Sequence, residues 1–346
     1  MEIKDMSWEI LEVPLKKPFK IALGTTTVYQ GVLVKLCTDE LCGYGEAAPS
    51  PRITGDTVGS TITALERFKG ALIGKDPREI GKLMNELNHL LARNTTAKAA
   101  VDFALHDILG KTAGLPVRNL LGGERDTIET SLTVTIGSVE DSVKSAEELL
   151  NAGAKVLKVK IGLNPEEDVE RIRAIRNITD AKIRVDANQG YSLKRAINVL
   201  RKIERYEIEF AEQPLPAAQV EELGVLRRST EIPIMADEAV HTKEDVLRLV
   251  GKVDAINIKL MKSGGIYEAA RMAAVAKAAG MKIMVGCMIE TRLGITAGTH
   301  FALGVGVDYA DLDGYWDLSR ALFSGVKFEN GVNILPDAPG LGVKPL

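Results

Sequence analysis

The sequence predicts an α/β protein whose larger part is a closed barrel of parallel strands and helices. Short runs rich in Val, Ile, Met and Ala alternate with amphipathic helical patterns from about residue 129 to residue 314. Eight such runs can be counted, and eight strands are what a β/α barrel needs in order to close. No Gly-x-Gly-x-x-Gly motif follows any run, which disfavours an open dinucleotide-binding sheet.

Composition is that of an ordinary globular protein. The chain has 346 residues, 45% apolar and 26% charged, which is enough for two domains. Its net charge of −3 is spread without a long block of one sign, so we expect neither nucleic acid nor a membrane surface as a partner. No apolar run is long enough for a transmembrane helix.

The cysteines and the N-terminus predict a cytoplasmic protein. The three cysteines are an odd number without a Cys-x-x-Cys pair, which argues against a secreted disulfide framework. The first residues, Met1–Met6, lack the charged and then apolar order of a signal peptide.

The first part of the chain predicts strands at residues 2–13 and 31–38. Two long stretches, Pro14–Tyr29 and Ala47–Asp56, look irregular because they are rich in Pro, Gly and Thr. Long loops in a compact domain are usually functional, and their mixed apolar and hydroxyl side chains favour a lid over a small ligand.

A helical pattern extends from Thr57 to about Ala113 and is clearest over Thr95–Ala113, where Gly114 marks the end. His106 and Asp107 lie inside this helix, and we expect them to pack rather than to react.

The glycine pair in Leu120-Leu-Gly-Gly123 interrupts the helical pattern and suggests a domain boundary. We expect residues 1–124 to form an α+β domain with the lid loops and residues 125–315 to form the barrel. Residues 316–346 are expected to return to the first domain.

Charged residues fall at the ends of five consecutive barrel strands. The C-terminal ends of barrel strands form the active-site face, and buried charges are costly unless they are paired or bound to a metal. These residues are therefore candidates for chemistry: Lys158, Lys160, Asp186, Glu212, Asp237 and Lys259.

Asp186, Glu212 and Asp237 come from three successive strands, so a closed barrel makes them neighbours. Three adjacent carboxylates repel one another unless a cation lies between them, and an all-oxygen ligand set suits Mg²⁺, with Mn²⁺ as a possible substitute. Asn188 and Glu238 are expected to support these ligands by hydrogen bonding.

Lys160 and Lys259 lie on strands two and six, which face each other across an eight-stranded barrel. A substrate held on the metal would have one amine on each side of its reacting carbon. We expect the metal and Lys158 to lower the pKa of Lys160 so that it acts as a general base. Lys262 follows the sixth strand and is predicted to be a loop residue.

These motifs, in this order, resemble the muconate-lactonizing-enzyme subgroup of the enolase superfamily over essentially the whole chain. They are Lys158-x-Lys160, Asp186-x-Asn188, Glu212-Gln-Pro214, Asp237-Glu238 and Lys259. The resemblance implies a modified TIM-type (β/α)7β barrel with an α+β capping domain. It also implies Mg²⁺-dependent removal of an α-proton from a carboxylate substrate, through an enolate stabilised by the metal and the lysines.

Asp311-x-Asp313 after the eighth strand resembles the dipeptide epimerases, in which this pair binds the free α-amino group. The stretch that begins with Met288 and Ile289 resembles those enzymes too, and its backbone is expected to contact the dipeptide. The lid stretches place further candidates for substrate binding at Gly24, Thr25 and Ile53. The implied reaction is inversion of the C-terminal residue's α-carbon by the two lysines.

One position departs from the Ala-Glu epimerases, where we expect an arginine in the first lid loop. This sequence has Gly24 there, so strict Ala-Glu specificity is not expected, although Lys20 or Arg52 could compensate.

Alternatives remain open. The chain could be an N-acylamino acid racemase, an o-succinylbenzoate synthase or a cycloisomerase of the same subgroup. More remotely, it could be a non-catalytic barrel that binds a metal and a ligand. A homo-oligomer is expected, as for many enzymes.

Overall fold

The computed structural model describes residues 1–346 and begins with a three-stranded antiparallel sheet in the order β1-β2-β3. Three long helices and one short helix follow this sheet. The elements are β1 (Asp5–Ile21), β2 (Gly24–Cys37), β3 (Cys42–Ala47), α1 (Val58–Leu72), α2 (Ile80–Leu90), α3 (Thr95–Ala113) and α4 (Val117–Leu120).

The predicted irregular stretch Pro14–Tyr29 is in fact the outer half of the β1–β2 hairpin, so that prediction was wrong. Pairing shifts register between Pro14 and Phe19 and resumes from there to the turn. The prolines explain the shift because they cannot donate to the ladder, whereas the threonines that looked irregular are good strand formers. The second stretch, Ala47–Asp56, is a loop apart from its first residue.

Cys37 and Cys42 form a disulfide between β2 and β3, where they are paired across the two strands. The cysteine count did not predict this bond. Cys287 has a free thiol.

The long helix α3 has the predicted bounds and packs closely on the sheet. A Cβ at Gly45 would lie 1.8 Å from the Ala100 carbonyl oxygen, so only glycine permits this approach. Asp107 accepts backbone N–H bonds from Tyr44 and Leu341 and pairs with Lys111, which confirms a packing role.

The barrel consists of eight parallel strands in sequence order, as predicted. The Ser131 N–H donates to the Ala310 carbonyl and links the first and last strands. The strands are β5 (Leu132–Val134), β6 (Val156–Lys160), β7 (Lys182–Asp186), β8 (Ile208–Glu212), β9 (Ile234–Ala236), β10 (Ala255–Lys259), β11 (Lys282–Gly286) and β12 (Tyr309–Asp311).

Helices connect the barrel strands and cover the outside of the sheet. They are α5 (Val139–Asn151), α6 (Pro165–Arg176), α7 (Leu193–Ile203), α8 (Val220–Arg227), α9 (Lys243–Leu249), α10 (Leu260–Ser263), α11 (Ile266–Ala278) and α12 (Arg292–Val305). No helix of the structure has both the length and the apolar character needed to span a membrane.

The segment after residue 315 contacts both parts of the chain. Its hairpin, β13 (Lys327–Glu329) and β14 (Val332–Ile334), pairs with β4 (Thr127–Glu129), the strand that precedes the barrel in the chain. Leu318 forms a bridge with Leu15 of the N-terminal sheet. The boundaries at residues 124 and 315 stay predictions.

Candidate active site

Asp186 and Glu212 are the last residues of neighbouring strands, and Asp237 follows the next strand directly. All three are 0% exposed, and one oxygen of each lies within 4.8 Å of the others. Burial, and next the charge on Asp186, raise the pKa of Glu212 to about 8. The strand order therefore produces the carboxylate cluster that the sequence predicts.

The charges of the site fit a divalent cation. Six carboxyl groups face four lysine ammonium groups, so the cluster has two more acidic than basic side chains, and the raised pKa values of Glu212 and Asp313 show that the excess carboxylate charge is not neutralised by the lysines. Glu212 Oε2 is buried and accepts no hydrogen bond, although the Lys158 Nζ lies 2.8 Å away. Carboxylate oxygens are the ligands that Mg²⁺ and Mn²⁺ prefer. The cluster comprises Asp186, Glu212, Asp237, Glu238, Asp311 and Asp313 with Lys158, Lys160, Lys259 and Lys262.

Lys158 lies at the centre of this cluster. Its Nζ is 3.0 Å from an Asp186 oxygen, 2.8 Å from Glu212 and 2.6 Å from Asp311. Burial lowers its pKa, but these carboxylates outweigh burial and raise the pKa well above the usual value. Lys158 is therefore a fixed positive charge.

Lys160 and Lys259 lie on opposite walls, as expected. Three strands separate β6 from β10 in either direction around the barrel. Lys160 Nζ donates to Asp186 at 2.7 Å, and Lys259 Nζ donates to Asp237 at 2.7 Å. Both side chains line the same cavity.

The lowered pKa that the sequence predicts for Lys160 stays a prediction, and Lys259 on the opposite wall shows the competing effects. Burial does lower the pKa of Lys259, but the charge on Asp237 outweighs it and leaves the pKa raised. The sequence could not show that each lysine is paired with a carboxylate of the cluster, and a cation would compete with the lysine for that carboxylate.

The prediction that Lys262 is a loop residue was wrong. It belongs to the short helix α10 and is 1% exposed. Its Nζ donates to the carboxylate and the carbonyl of Asp237. No periodic pattern in so short a helix could have revealed this contact.

Amide side chains support the carboxylates. Asn188 accepts from Lys160 at 3.1 Å and donates to Glu238 at 3.2 Å, so both residues hydrogen bond within the cluster. Asn257, which was not predicted from the sequence, donates to Glu212 Oε1 at 2.8 Å. It lies two residues before Lys259 on the same face of the strand, and this alternation could have identified it.

Asp311 and Asp313 both line the cavity but differ in their partners. Asp311 accepts from Ser131 at 2.6 Å in addition to contacting Lys158. Asp313 accepts one bond, from the Thr133 N–H at 2.8 Å. Burial and the charge on Asp311 raise the pKa of Asp313 to about 7. Asp313 thus has more capacity left to accept from a ligand.

The cavity has a volume of about 420 Å³ and lies between the barrel mouth and the first domain. The β1–β2 turn and the loop before α1 line it, together with the segment after β11. Every substrate-binding candidate of the sequence lies at this cavity: Gly24, Thr25, Ile53, Met288, Ile289, Asp311 and Asp313.

Arg52 occupies the space next to Gly24. A Cβ on Gly24 would lie 1.7 Å from a guanidinium nitrogen of Arg52, and Gly24 has a positive φ of 139° that favours glycine. Arg52 is exposed, lines the cavity and makes no ion pair or side-chain hydrogen bond. Lys20 does not line the cavity, whereas Arg52 does.

The fold and the site together define a barrel enzyme with an acidic cation site between two facing lysines. Residues 6–122 match the family model of the mandelate racemase / muconate lactonizing enzyme N-terminal domain, and residues 141–346 match the enolase C-terminal domain-like model. The chain belongs to this family of the enolase superfamily.

Similar proteins with different substrates match the chain equally well. An L-Ala-D/L-Glu epimerase from Clostridium acetobutylicum and an L-Lys-D/L-Arg epimerase from Desulforapulum autotrophicum are each 39% identical, over 99% of both chains. The structure of a dipeptide epimerase from Enterococcus faecalis V583, complexed with Mg and L-Leu-L-Tyr, matches with TM-score 0.97 and 38% identity over 99% of both chains. Overall similarity therefore does not select the substrate side chains.

Proposed function

We propose that this enzyme is a Mg²⁺-dependent dipeptide epimerase that inverts the α-carbon of the C-terminal residue. The observation that carries the proposal is the pair of lysines, Lys160 and Lys259, on opposite walls of a cavity that also contains Asp311 and Asp313. Two bases on opposite sides are what a 1,1-proton transfer with inversion requires.

Asp186, Glu212 and Asp237 would hold the metal. When bound, the metal ion stabilises the negative charge that develops on the substrate carboxylate as the α-proton leaves. Asn188, Glu238 and Asn257 keep the carboxylates oriented through the hydrogen bonds described above.

The lysines move the proton. The neutral amine of one lysine takes the α-proton, and the electron pair of the broken C–H bond passes into the enolate. The ammonium group of the other lysine then donates its proton to the opposite face of the carbon. Lys158, buried and surrounded by carboxylates, supplies a positive charge beside the enolate oxygens.

Asp311 and Asp313 provide the contact that separates a dipeptide from the alternatives. A free α-amino group is an ammonium ion, and Asp313 has a carboxylate oxygen available to accept from it. An N-succinyl or other N-acyl substrate offers no such cation, so this pair disfavours the racemase, synthase and cycloisomerase alternatives. The non-catalytic barrel that binds a metal and a ligand is disfavoured by a different observation, the presence of both lysines together with all three carboxylates.

Arg52 and its apolar neighbours set the range of C-terminal side chains. Arg52 has no partner in the chain, so it can pair with an acidic side chain. Leu23, Ile53 and Ile289 line the same cavity and provide apolar contacts. The site therefore accepts an acidic residue without being restricted to it.

Localisation and assembly complete the proposal. The ordinary globular composition is compatible with a cytoplasmic enzyme, and we expect a homo-oligomer. Residues 1–124 would act as the cap that selects the substrate, and residues 125–315 as the catalytic barrel.

The test is deuterium exchange in D₂O. A library of L,L-dipeptides is incubated with the enzyme and Mg²⁺, and mass spectrometry locates the label. We expect deuterium at the α-carbon of the C-terminal residue and its loss in a Lys160→Ala, Lys259→Ala double variant. Exchange of N-succinyl amino acids without exchange of any dipeptide would instead favour the racemase.

A further inference from the structure

A second cleft lies between the first domain and the barrel, on the far side of the loop before α1. Its volume is about 700 Å³, and most of its lining is polar. Pro51 and Ile53 line both this cleft and the reaction cavity, so the loop separates the two spaces. Four cationic side chains face the cleft: Arg93, Lys98, Lys243 and Lys262.

Lys98 is the unusual member of this set. It is 4% exposed, yet its ammonium group makes no hydrogen bond and no ion pair. Its aliphatic part packs over Gly264, where an added Cβ would lie 3.6 Å from the Lys98 Cβ. The ammonium group is accessible from the cleft, so water or a ligand there can bind it.

The charges around Lys98 leave an excess of positive charge. Lys243 lies 3.2 Å from Glu244 and 3.7 Å from Glu268, and Lys262 is paired with Asp237. Glu268 also pairs with Arg271.

Asp56, the other acidic group near Lys98, accepts both the N–H and the hydroxyl of Thr96. The acidic groups therefore have partners of their own, whereas Lys98 and Arg93 have none.

We propose that this cleft is a binding site for a small oxyanion, a phosphate or a carboxylate, held by Lys98 and Arg93. The site is distinct from the reaction cavity because the loop of Pro51 and Ile53 lies between them. Two cations with several N–H donors suit either anion, and Arg93 offers the planar pair of donors that both anions can accept.

The test is isothermal titration of the Mg²⁺-loaded enzyme at low ionic strength, with inorganic phosphate in one arm and acetate in the other. We expect saturable binding that weakens at least tenfold, about 1.4 kcal/mol, in Lys98→Met. Binding of phosphate alone identifies a phosphoryl ligand, and binding of acetate alone identifies a carboxylate. Binding of an anion in the reaction cavity can be distinguished from binding in the cleft, because Lys98→Met should leave its affinity unchanged.

Two further variants complete the design. Arg93 is exposed, so Arg93→Met should fold normally and should also weaken binding. Lys82→Met on the exposed side of α2 is the matched control and should leave binding unchanged. Absence of saturable binding, or equal affinity in wild type and in both cleft variants, would show that only water satisfies Lys98 and would overturn the proposal.

Discussion

Replacing Glu290 with glutamine should remove a pH-dependent loss of stability. Glu290 is 4% exposed and lies beside Glu46, which joins the N-terminal sheet to the barrel. Glu46 accepts from the Tyr29 hydroxyl, the Thr291 N–H and hydroxyl, and the Gly294 N–H. Burial, and next the charge on Glu46, raise the pKa of Glu290 from 4.5 to about 8. The folded protein therefore holds Glu290 neutral.

The sign follows from linkage. Because the pKa of Glu290 is raised in the folded state, its stabilising contribution is fully present below about pH 4.5 and is lost as the pH rises to about 8. Each pH unit in this window lowers the free energy of unfolding by about 1.4 kcal/mol, so the full loss is at most about 5 kcal/mol. Glutamine keeps the acceptor for the Met288 N–H and cannot ionise.

The assay is urea unfolding of wild type and Glu290→Gln from pH 5 to pH 9, with Mg²⁺ present. We expect similar free energies of unfolding near pH 5 and a growing advantage of the glutamine variant up to about pH 8. Glu147→Gln on the exposed face of α5 is the control and should follow wild type. Parallel curves for wild type and Glu290→Gln would refute a neutral Glu290.

Three further predictions concern the reaction. Lys160→Ala should lower the epimerisation rate by about 10²–10⁴-fold. Exchange of the α-proton, measured by NMR in D₂O, should survive for only one of the two epimers. Exchange of both epimers would refute the two-base assignment. Glu212→Gln should weaken Mg²⁺ binding at least tenfold by calorimetry, and unchanged Mg²⁺ affinity would contradict its role as a ligand. It should also stabilise the metal-free protein increasingly as the pH rises toward 8, because the pKa of Glu212 is raised to about 8 and glutamine cannot ionise. Arg52→Met should lower kcat/KM about 5- to 30-fold for dipeptides with an acidic C-terminal residue, since an exposed charged hydrogen bond contributes about 1–2 kcal/mol. The kcat/KM for dipeptides with an apolar C-terminal residue should stay nearly unchanged. The control Lys20→Met should change neither, and equal losses for both substrate classes would exclude Arg52 as the selective contact.

The sequence alone determined the barrel and most of its chemistry. Alternation of strands and helices is a local pattern, and charges such as Asp186 and Glu212 lie at fixed positions in that pattern. Parallel strands in a closed barrel bring their ends together whatever the details of packing, so the carboxylate cluster and the facing lysines followed directly. The helix Thr95–Ala113 was equally predictable, because its helix-forming residues and the glycine that ends it are local features of the sequence.

Tertiary structure alone decided the contacts that depend on how separate segments meet. Lys262 reaches Asp237 because a four-residue helix turns it inward, and Arg52 fills the space over Gly24 because two loops converge there. Neither contact is associated with a periodic pattern in the sequence. The surroundings of Lys98 and of Glu290 are likewise set by the packing of one domain on the other. The sequence therefore specifies the reaction, and the interface between cap and barrel specifies what the site accepts, because side chains distant in the chain meet only after folding.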